Sequence, residues 1–395
     1  MDMPDLIREE VLNLNQEMIT FRRDFHQHPE LGMEERRTAQ VIEDRLKDLG
    51  LKVTSRVGKT GVVGLLEGAS PGKTVLLRAD MDALPIQEEN EVSYRSQNVG
   101  VMHACGHDGH MAILLTVARI LSAHRQAFPG QIKFVFQPGE EGFGGARLMI
   151  EDGVLKDPPV GAAFALHLVT VLPVGYLATR PGPVMACMDS FTIKIKGKGG
   201  HAAKPEEGVD AILMTAQVIS TLQSLISKEV SPTIPLIVHV GTIHGGSNFN
   251  VIAERVEMKG TVRTFDETLR ASIPERMNRI IKGVTEALGG WYELDYDFGY
   301  PALVNDTTMT RRVNEVAAQV LGEERVIERP QVMSSEDFAF FLKEVPGCYF
   351  FVGAGNEKKG FHNPNHSAKF DFDEGALGVG AKVMAWLALT YLHST

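Results

Sequence analysis

Short apolar runs alternate with helical stretches through the first half of the chain, and most of these runs end in polar, chemically reactive residues. Gly61-Val-Val-Gly-Leu-Leu, Thr74-Val-Leu-Leu-Arg, Gln131-Ile-Lys-Phe-Val-Phe-Gln and Gly161-Ala-Ala-Phe-Ala-Leu-His read as strands. Residues 109–124 and 145–151 read as helices between them. Near-continuous apolar strands separated by helices predict an α/β domain: a mostly parallel sheet with helices on both faces. Two amphipathic helices precede it, at about residues 6–26 and 34–49. The first carries Ile7, Val11, Leu14, Met18 and Phe21 at helical spacing, and Gly50 follows the second where a C-terminal cap glycine belongs.

From about residue 189 the pattern changes. Ser190-Phe-Thr-Ile-Lys-Ile-Lys alternates like a half-exposed strand. A helix at about 209–227, strands at 236–241 and 257–263, a helix at 267–288 and a strand at 291–297 follow. That β-α-β-β-α-β order predicts a smaller α+β domain. After Pro301 the earlier style returns, with helices at 308–321 and 336–344, a strand at 348–353 and a last helix from residue 373. A chain of 395 residues exceeds one ordinary core. The expected organisation is a catalytic domain formed by residues 1–186 and 300–395, with residues 187–299 inserted into it.

Charge and cysteine content narrow the function. The net charge is −10 and no basic run or stripe occurs, so nucleic acid is not an expected partner. Three cysteines, Cys105, Cys187 and Cys348, lie far apart and imply no disulfide framework. Charged residues run through positions 1–23, and the longest apolar stretches, such as 112–121, are too short to span a bilayer. The expectation is a cytoplasmic protein with no membrane partner.

Ligands in open α/β sheets sit beyond the C-terminal strand ends, and here those ends are chemically loaded. One strand runs into Arg78-Ala-Asp80-Met-Asp82, another into Pro138-Gly-Glu140-Glu141-Gly142, and a third ends in His167. The loop Met102-His103-Ala-Cys105-Gly-His107-Asp108-Gly-His110 precedes a helix. A thiolate and an imidazole one glycine apart suit zinc or a similar transition metal. Glu141 adds a carboxylate, and His167 and the distant His366 can complete two adjacent metal sites. Neighbouring side chains of an extended strand point opposite ways. One carboxylate of the Glu140-Glu141 pair can then bind metal while the other serves as general base toward the attacking water and acid toward the leaving nitrogen.

Each residue also has a plainer reading. Cys105 can be a small buried hydrophobe, Glu140-Glu141 a solvated turn pair, and His167 a satisfied core histidine. His103 and His110 stay open between supporting a ligand and serving structure alone. Cys187 and Cys348 read as structural, and His26 and His28, before Pro29, as a helix-end feature.

These motifs together resemble the aminoacylase and carboxypeptidase family of binuclear-metal peptidases. The likeness is to its subgroup of N-acyl-amino-acid amidohydrolases, hippurate hydrolases and auxin-conjugate hydrolases. The resemblance spans essentially the whole chain. It is carried by Arg22-Arg-Asp-Phe-His26-Gln-His28-Pro-Glu30, Arg78-Ala-Asp80-Met-Asp82-Ala-Leu-Pro85, Cys105-Gly-His107-Asp-Gly-His110, Gln137-Pro-Gly-Glu140-Glu141, Gly197-Lys-Gly-Gly-His201 and His366-Ser. It implies metal ligation by Cys105, His107, Glu141, His167 and His366, with Glu140 as base. It implies two divalent ions per subunit: zinc first, with manganese, cobalt or nickel also suited to the ligands. It makes the inserted domain a lid and dimerisation domain, hence a homodimer or homotetramer. His201 would be the residue that stabilises the oxyanion, and Asn250 and Arg263 match positions near the substrate carboxylate in relatives. One departure stands out. Asp80 occupies the place where many relatives carry a metal-binding histidine, which leaves open whether it touches metal; Asp82 is placed to orient a ligand imidazole.

The resulting expectation is hydrolysis of the amide of an N-acyl amino acid, or of the C-terminal residue of a short peptide. Two alternatives are an N-acetyl-diaminopimelate-type deacetylase and a hydrolase using Cys105 as nucleophile with His107.

Overall fold

A computed structural model describes residues 3–394 as two compact units. The first comprises residues up to Val184 together with Val304–Pro330 and the chain from Asp337 onward; the second comprises Met185–Leu303 and Gln331–Glu336. The second unit therefore reaches slightly beyond residues 187–299 at both ends and recruits a short segment from much later in the chain. No change of period marks that segment in the sequence.

The first unit is built on an eight-stranded sheet. Its strands are β1 (Lys52–Val57), β2 (Gly61–Glu67), β3 (Thr74–Asp80), β4 (Gln131–Gln137), β5 (Ala162–Pro173), β6 (Leu177–Thr179), β7 (Val326–Glu328) and β8 (Gly347–Gly355). They lie in the order β1-β2-β4-β3-β5-β8-β6-β7. The centre, β4-β3-β5-β8, is parallel, while β1, β2 and β6 make antiparallel pairs toward the edges. Burial follows chemistry. Every residue of β3 and β8 is buried, as strands covered on both faces require. Edge strand β1 alternates between exposed and half-buried residues.

Helices His107–Ala123, Asn15–Gln27 and Gly375–His393 contribute to the main core with Phe134, Phe136, Phe164, Leu166, Phe350 and Val352 of the sheet. Gly375–His393 is long and apolar enough to cross a membrane, which the sequence reading overlooked. It is instead a core helix: Leu377, Ala381, Met384, Leu387 and Leu392 are buried in the main cluster. The first predicted helix is two, Met3–Asn13 and Asn15–Gln27, interrupted at Leu14. Helical hydrogen bonds persist through the interruption, from Leu14 N to Glu10 O and from Met18 N to Leu14 O.

The second unit has a four-stranded antiparallel sheet in the order Leu236–Gly245, Arg255–Thr264, Met188–Lys196, Trp291–Tyr300. Helices Ala211–Ser224 and Glu267–Ala287 join Phe191, Ile193, Ile195, Met258 and Val262 in its core. Asp210 and Asp266 cap those helices with side-chain hydrogen bonds to first-turn amides. A separate two-stranded ribbon pairs His201 with Val251 and Gly200 with Ile252.

Candidate metal centre

The ligand candidates of the first unit come from four chain segments. Cys105 and His107 flank Gly106, whose φ of +88° turns the loop into the helix that begins at His107. The turn depends on glycine, which adopts a positive φ without steric cost. Glu140 and Glu141 follow β4, and His167 lies within β5. His366 belongs to a late loop whose backbone amide donates to Ala104 O at 2.8 Å, while Asn365 Nδ2 donates to Cys105 O at 3.1 Å. His366 adopts φ +68°, a left-handed conformation unfavourable for a side chain with a Cβ.

Four overlapping clusters result, each with donor atoms within 4.8 Å of one another: Cys105, His107 and His167; Cys105, Glu141 and His366; His107, Glu140 and Glu141; and Asp80, His107 and His110. Cys105 is common to the first two, the arrangement a bridging thiolate between two cations requires. Hydrogen bonds on the far side of each ring select the tautomer. His107 Nδ1 donates to Asp82 O at 2.8 Å, and His167 Nδ1 donates to Leu168 O at 2.8 Å. Both Nε2 lone pairs are thereby left facing the cluster. His167 Nε2 lies 3.4 Å from Cys105 Sγ. His107 Nε2 and Glu141 Oε1 are buried atoms without a hydrogen-bond partner. His366 Nε2 stands 3.0 Å from Glu141 Oε1 without forming a hydrogen bond to it. Two buried donor atoms left without partners beside a thiol and a second imidazole fit cations placed among them.

Electrostatics point the same way. Burial pushes the Cys105 thiol well above its ordinary value, and Glu141, Glu140 and Asp80 push it further. Burial would lower His107, but Asp80, Asp82 and Glu141 outweigh it and raise the imidazole to about 10. Burial and His110 hold His167 well below the usual histidine range. So many acids around a thiol and an imidazole make a site in which a divalent cation replaces protons.

The supporting residues are equally well defined. Asp82 Oδ2 accepts from Glu141 N at 2.9 Å, and its Oδ1 lies 3.3 Å from His107 Nδ1. Asp80 Oδ1 accepts from His110 Nδ1 at 2.6 Å and its Oδ2 from Arg78 Nη1 at 2.7 Å. His110 Nε2 accepts from Leu168 N at 2.9 Å, so both of its nitrogens are committed. That assigns His110 to bracing the strand at His167 rather than to ligation. His103 is buried outside the clusters just described, and burial pushes it down to about 4.

Glu140 and Glu141 depart from the extended geometry predicted for them. They occupy a turn in which Gly142 N donates to Glu140 O at 2.7 Å, and both carboxylates approach His107. His26 also differs from its reading as a helix-end feature. It is fully buried within its helix, between Asp108 Oδ2 at 2.8 Å and Glu88 Oε1 at 3.1 Å. Arg22, likewise buried, donates to Asp108 at 2.9 Å and to Asp371 at 2.5 Å. Asp108 follows His107 directly, so this ion network braces the start of the ligand-bearing helix. Its sequence signal was the charge pattern of Arg22-Arg-Asp-Phe-His26 inside an otherwise amphipathic helix.

His201, Asn250 and Arg263 lie in the second unit. His201 is exposed on the two-stranded ribbon and accepts from Ala203 N at its Nδ1, at 3.0 Å, which places the proton of the neutral ring on Nε2. Asn250 is its neighbour, its carbonyl accepting from Ala202 N at 3.0 Å. Arg263 is half-buried, with Nη1 donating to Met333 O at 3.0 Å.

Residues 76–390 match the peptidase family M20/M25/M40. The chain is 40% identical to thermostable carboxypeptidase 1 of Saccharolobus solfataricus over 99% of both proteins. It is 46% identical to an N-acyl-L-amino acid amidohydrolase of Geobacillus stearothermophilus, over 76% of this chain and 82% of that protein. Among solved structures it is similar to the YXEP protein of Bacillus subtilis, described as a dinuclear metal binding peptidase of the M20 family. That likeness has a TM-score of 0.85 and 34% identity, covering 97% of this chain and 99% of that one. Family match, fold and the paired donor clusters agree: the chain belongs to the peptidase family M20/M25/M40 and is a metal-dependent enzyme of its amidohydrolase and carboxypeptidase type.

Proposed function

We propose that the enzyme hydrolyses the amide bond of N-acyl amino acids, and by the same chemistry releases the C-terminal residue of short peptides. The observation that carries this reading is the pair of donor clusters sharing Cys105, with Glu140 at their edge. Cys105, His107, Glu141, His167 and His366 would hold two divalent ions, zinc being the first choice for this donor set. Such ions lower the pKa of a water and polarise the scissile carbonyl. Glu140 takes a proton from the attacking water and delivers it to the leaving nitrogen, so that amide and water become carboxylate and amine. Asp82 and His110 hold the ligand-bearing segments in place, and Asp80 acts through His110 and Arg78. His201, with an outward Nε2–H, is the candidate donor to the developing oxyanion. Asn250 and Arg263 are candidates for holding the substrate carboxylate.

The names of the amidohydrolase and carboxypeptidase relatives support this substrate class. The alternative of a Cys105 nucleophile is disfavoured. Burial and the carboxylates Glu141, Glu140 and Asp80 push its thiol well up, against the thiolate that a nucleophile paired with His107 needs, even though the His107 imidazole is itself raised. The second unit is also proposed as the dimerisation surface, because its edge strand Leu236–Gly245 is exposed around Ile243 and the loop beyond it exposes Phe249.

The test is turnover on a panel holding benzoyl-glycine, acetylated amino acids, N-acetyl-diaminopimelate and dipeptides. Release of free amino acid from the acylated substrates is expected. Turnover confined to the diaminopimelate compound would narrow the enzyme to a biosynthetic deacetylase, and turnover of none would overturn the reading.

A further inference from the structure

Among the described residues, Glu35 is a carboxylate with an unusual setting. It is fully buried, and the side-chain contacts of its carboxylate oxygens are with uncharged donors. A buried carboxyl without a cation is costly unless its oxygens are taken up by donors. Here they are. Oε1 accepts from Gly139 N at 2.9 Å and Oε2 from Thr60 Oγ1 at 2.5 Å. The donors come from distant pieces of chain: the β1–β2 turn supplies Thr60, and the turn after β4 supplies Gly139.

Gly139 immediately precedes Glu140. Its φ is +57°, and a Cβ there would meet Met33 Cε at 2.5 Å, so the turn is held by close packing as well as by the hydrogen bond. On the other side of Glu140, the amide of Glu141 is held by Asp82. Glu140 thus sits between two peptide N–H groups, each fixed by a buried carboxylate from a different element. Asp82 also faces His107 and so serves the metal ligands, whereas Glu35 touches none of them.

We propose that Glu35 is a positioning residue for the general base: it fixes the backbone before Glu140 and thereby the aim of its carboxylate, independently of metal binding. This rests on the assignment of Glu140 as base. A carboxylate suits the task better than an amide because both of its oxygens accept, whereas an amide would turn an N–H donor toward one of the two donors.

The test compares Glu35→Leu, Glu35→Gln, Thr60→Val and Glu140→Gln in the full-length metal-loaded protein, reading kcat, KM, bound metal and the urea midpoint. For Glu35→Leu, kcat should fall about thirty- to a hundredfold with KM within about threefold, the size of effect a base misplaced by about 1 Å produces. Metal content should match the parent protein. Glu35→Gln, which keeps an acceptor for Gly139 N, should recover most of the loss, and Thr60→Val should lower kcat by a few-fold. An unchanged kcat in Glu35→Leu, or a loss of metal in step with the loss of rate, would overturn the proposal. If Glu35→Leu does not fold, unchanged kcat in both Glu35→Gln and Thr60→Val would do the same. Should Glu140→Gln itself retain turnover, the base assignment falls; a dead Glu140→Gln beside a fully active Glu35→Leu removes only the role of Glu35.

Discussion

The donor cluster of the first unit and the trio His201, Asn250 and Arg263 of the second are held by their surroundings to very different degrees. Cys105 and His107 are buried, the rings of His107 and His167 are locked by hydrogen bonds behind them, and Asp80, Asp82, Arg22 and His110 brace the segments that carry them. His201 and Asn250 are exposed, and the strand that carries His201 is two residues long and paired with another of two. Metal binding requires several donors at fixed separations before the ion arrives, so their positions must be overdetermined. Under the proposed function His201 and Asn250 would meet a substrate only as it reacts, and they lie on short exposed segments, whereas Arg263 is half-buried in the strand Arg255–Thr264 and hydrogen-bonded to Met333 O. His366 is the exception within the first unit, a half-exposed side chain on a left-handed backbone.

Substitutions can break this contrast in order of effect. Glu140→Gln should lower kcat by about 10³-fold or more while metal content is unchanged, because it removes proton transfer and leaves the donors in place. Retention of a tenth of the parent rate would remove Glu140 from the base role. Cys105→Ala should cost metal first: elemental analysis is expected to show depletion of both ions, since one thiolate serves both clusters. Full metal occupancy in that variant would contradict a bridging role. His201→Ala should lower kcat by about 10²-fold without loss of metal, the usual effect of deleting an oxyanion donor. An unaltered rate would show that the second unit's histidine takes no part.

The smallest effect concerns stability. Burial opposes charging His26, but Asp108 and Glu88 raise it to about 9 from an ordinary 6.5. A raised folded-state pKa stabilises fully below pH 6.5, and that contribution disappears as pH climbs through about 9. The urea midpoint should therefore decline between those values, by a few kcal/mol at most in free energy. His26→Gln should flatten that slope; an equal slope in the variant would show that another group titrates.

How much of this was legible in sequence depended on periodicity. β3, β4, β5 and β8 announced themselves as apolar runs because they are buried on both faces. β1 escaped because Lys-Val-Thr-Ser-Arg-Val lies on an edge with only alternate residues partly covered. Leu177–Thr179 and Val326–Glu328 are three residues each, too short to show any period. In the site, Cys105, His107 and Glu141 stood at a strand end or helix start where chemistry was already expected; His167 was expected to end its strand but lies in the middle of β5, which continues to Pro173. His366 could be named as a completing ligand, but its place could not be read, since nothing local to Asn-Pro-Asn-His marks a loop folded back on Ala104. Glu35 gave no signal, because its partners Thr60 and Gly139 are joined only by tertiary folding.

Metal occupancy is the point on which the rest depends. Elemental analysis of the purified protein, run beside turnover of an N-acyl amino acid before and after chelation, tests it directly. Two divalent ions per chain are expected, with activity lost on chelation and restored by added metal. A metal-free preparation that hydrolyses the substrate at the full rate would contradict the account.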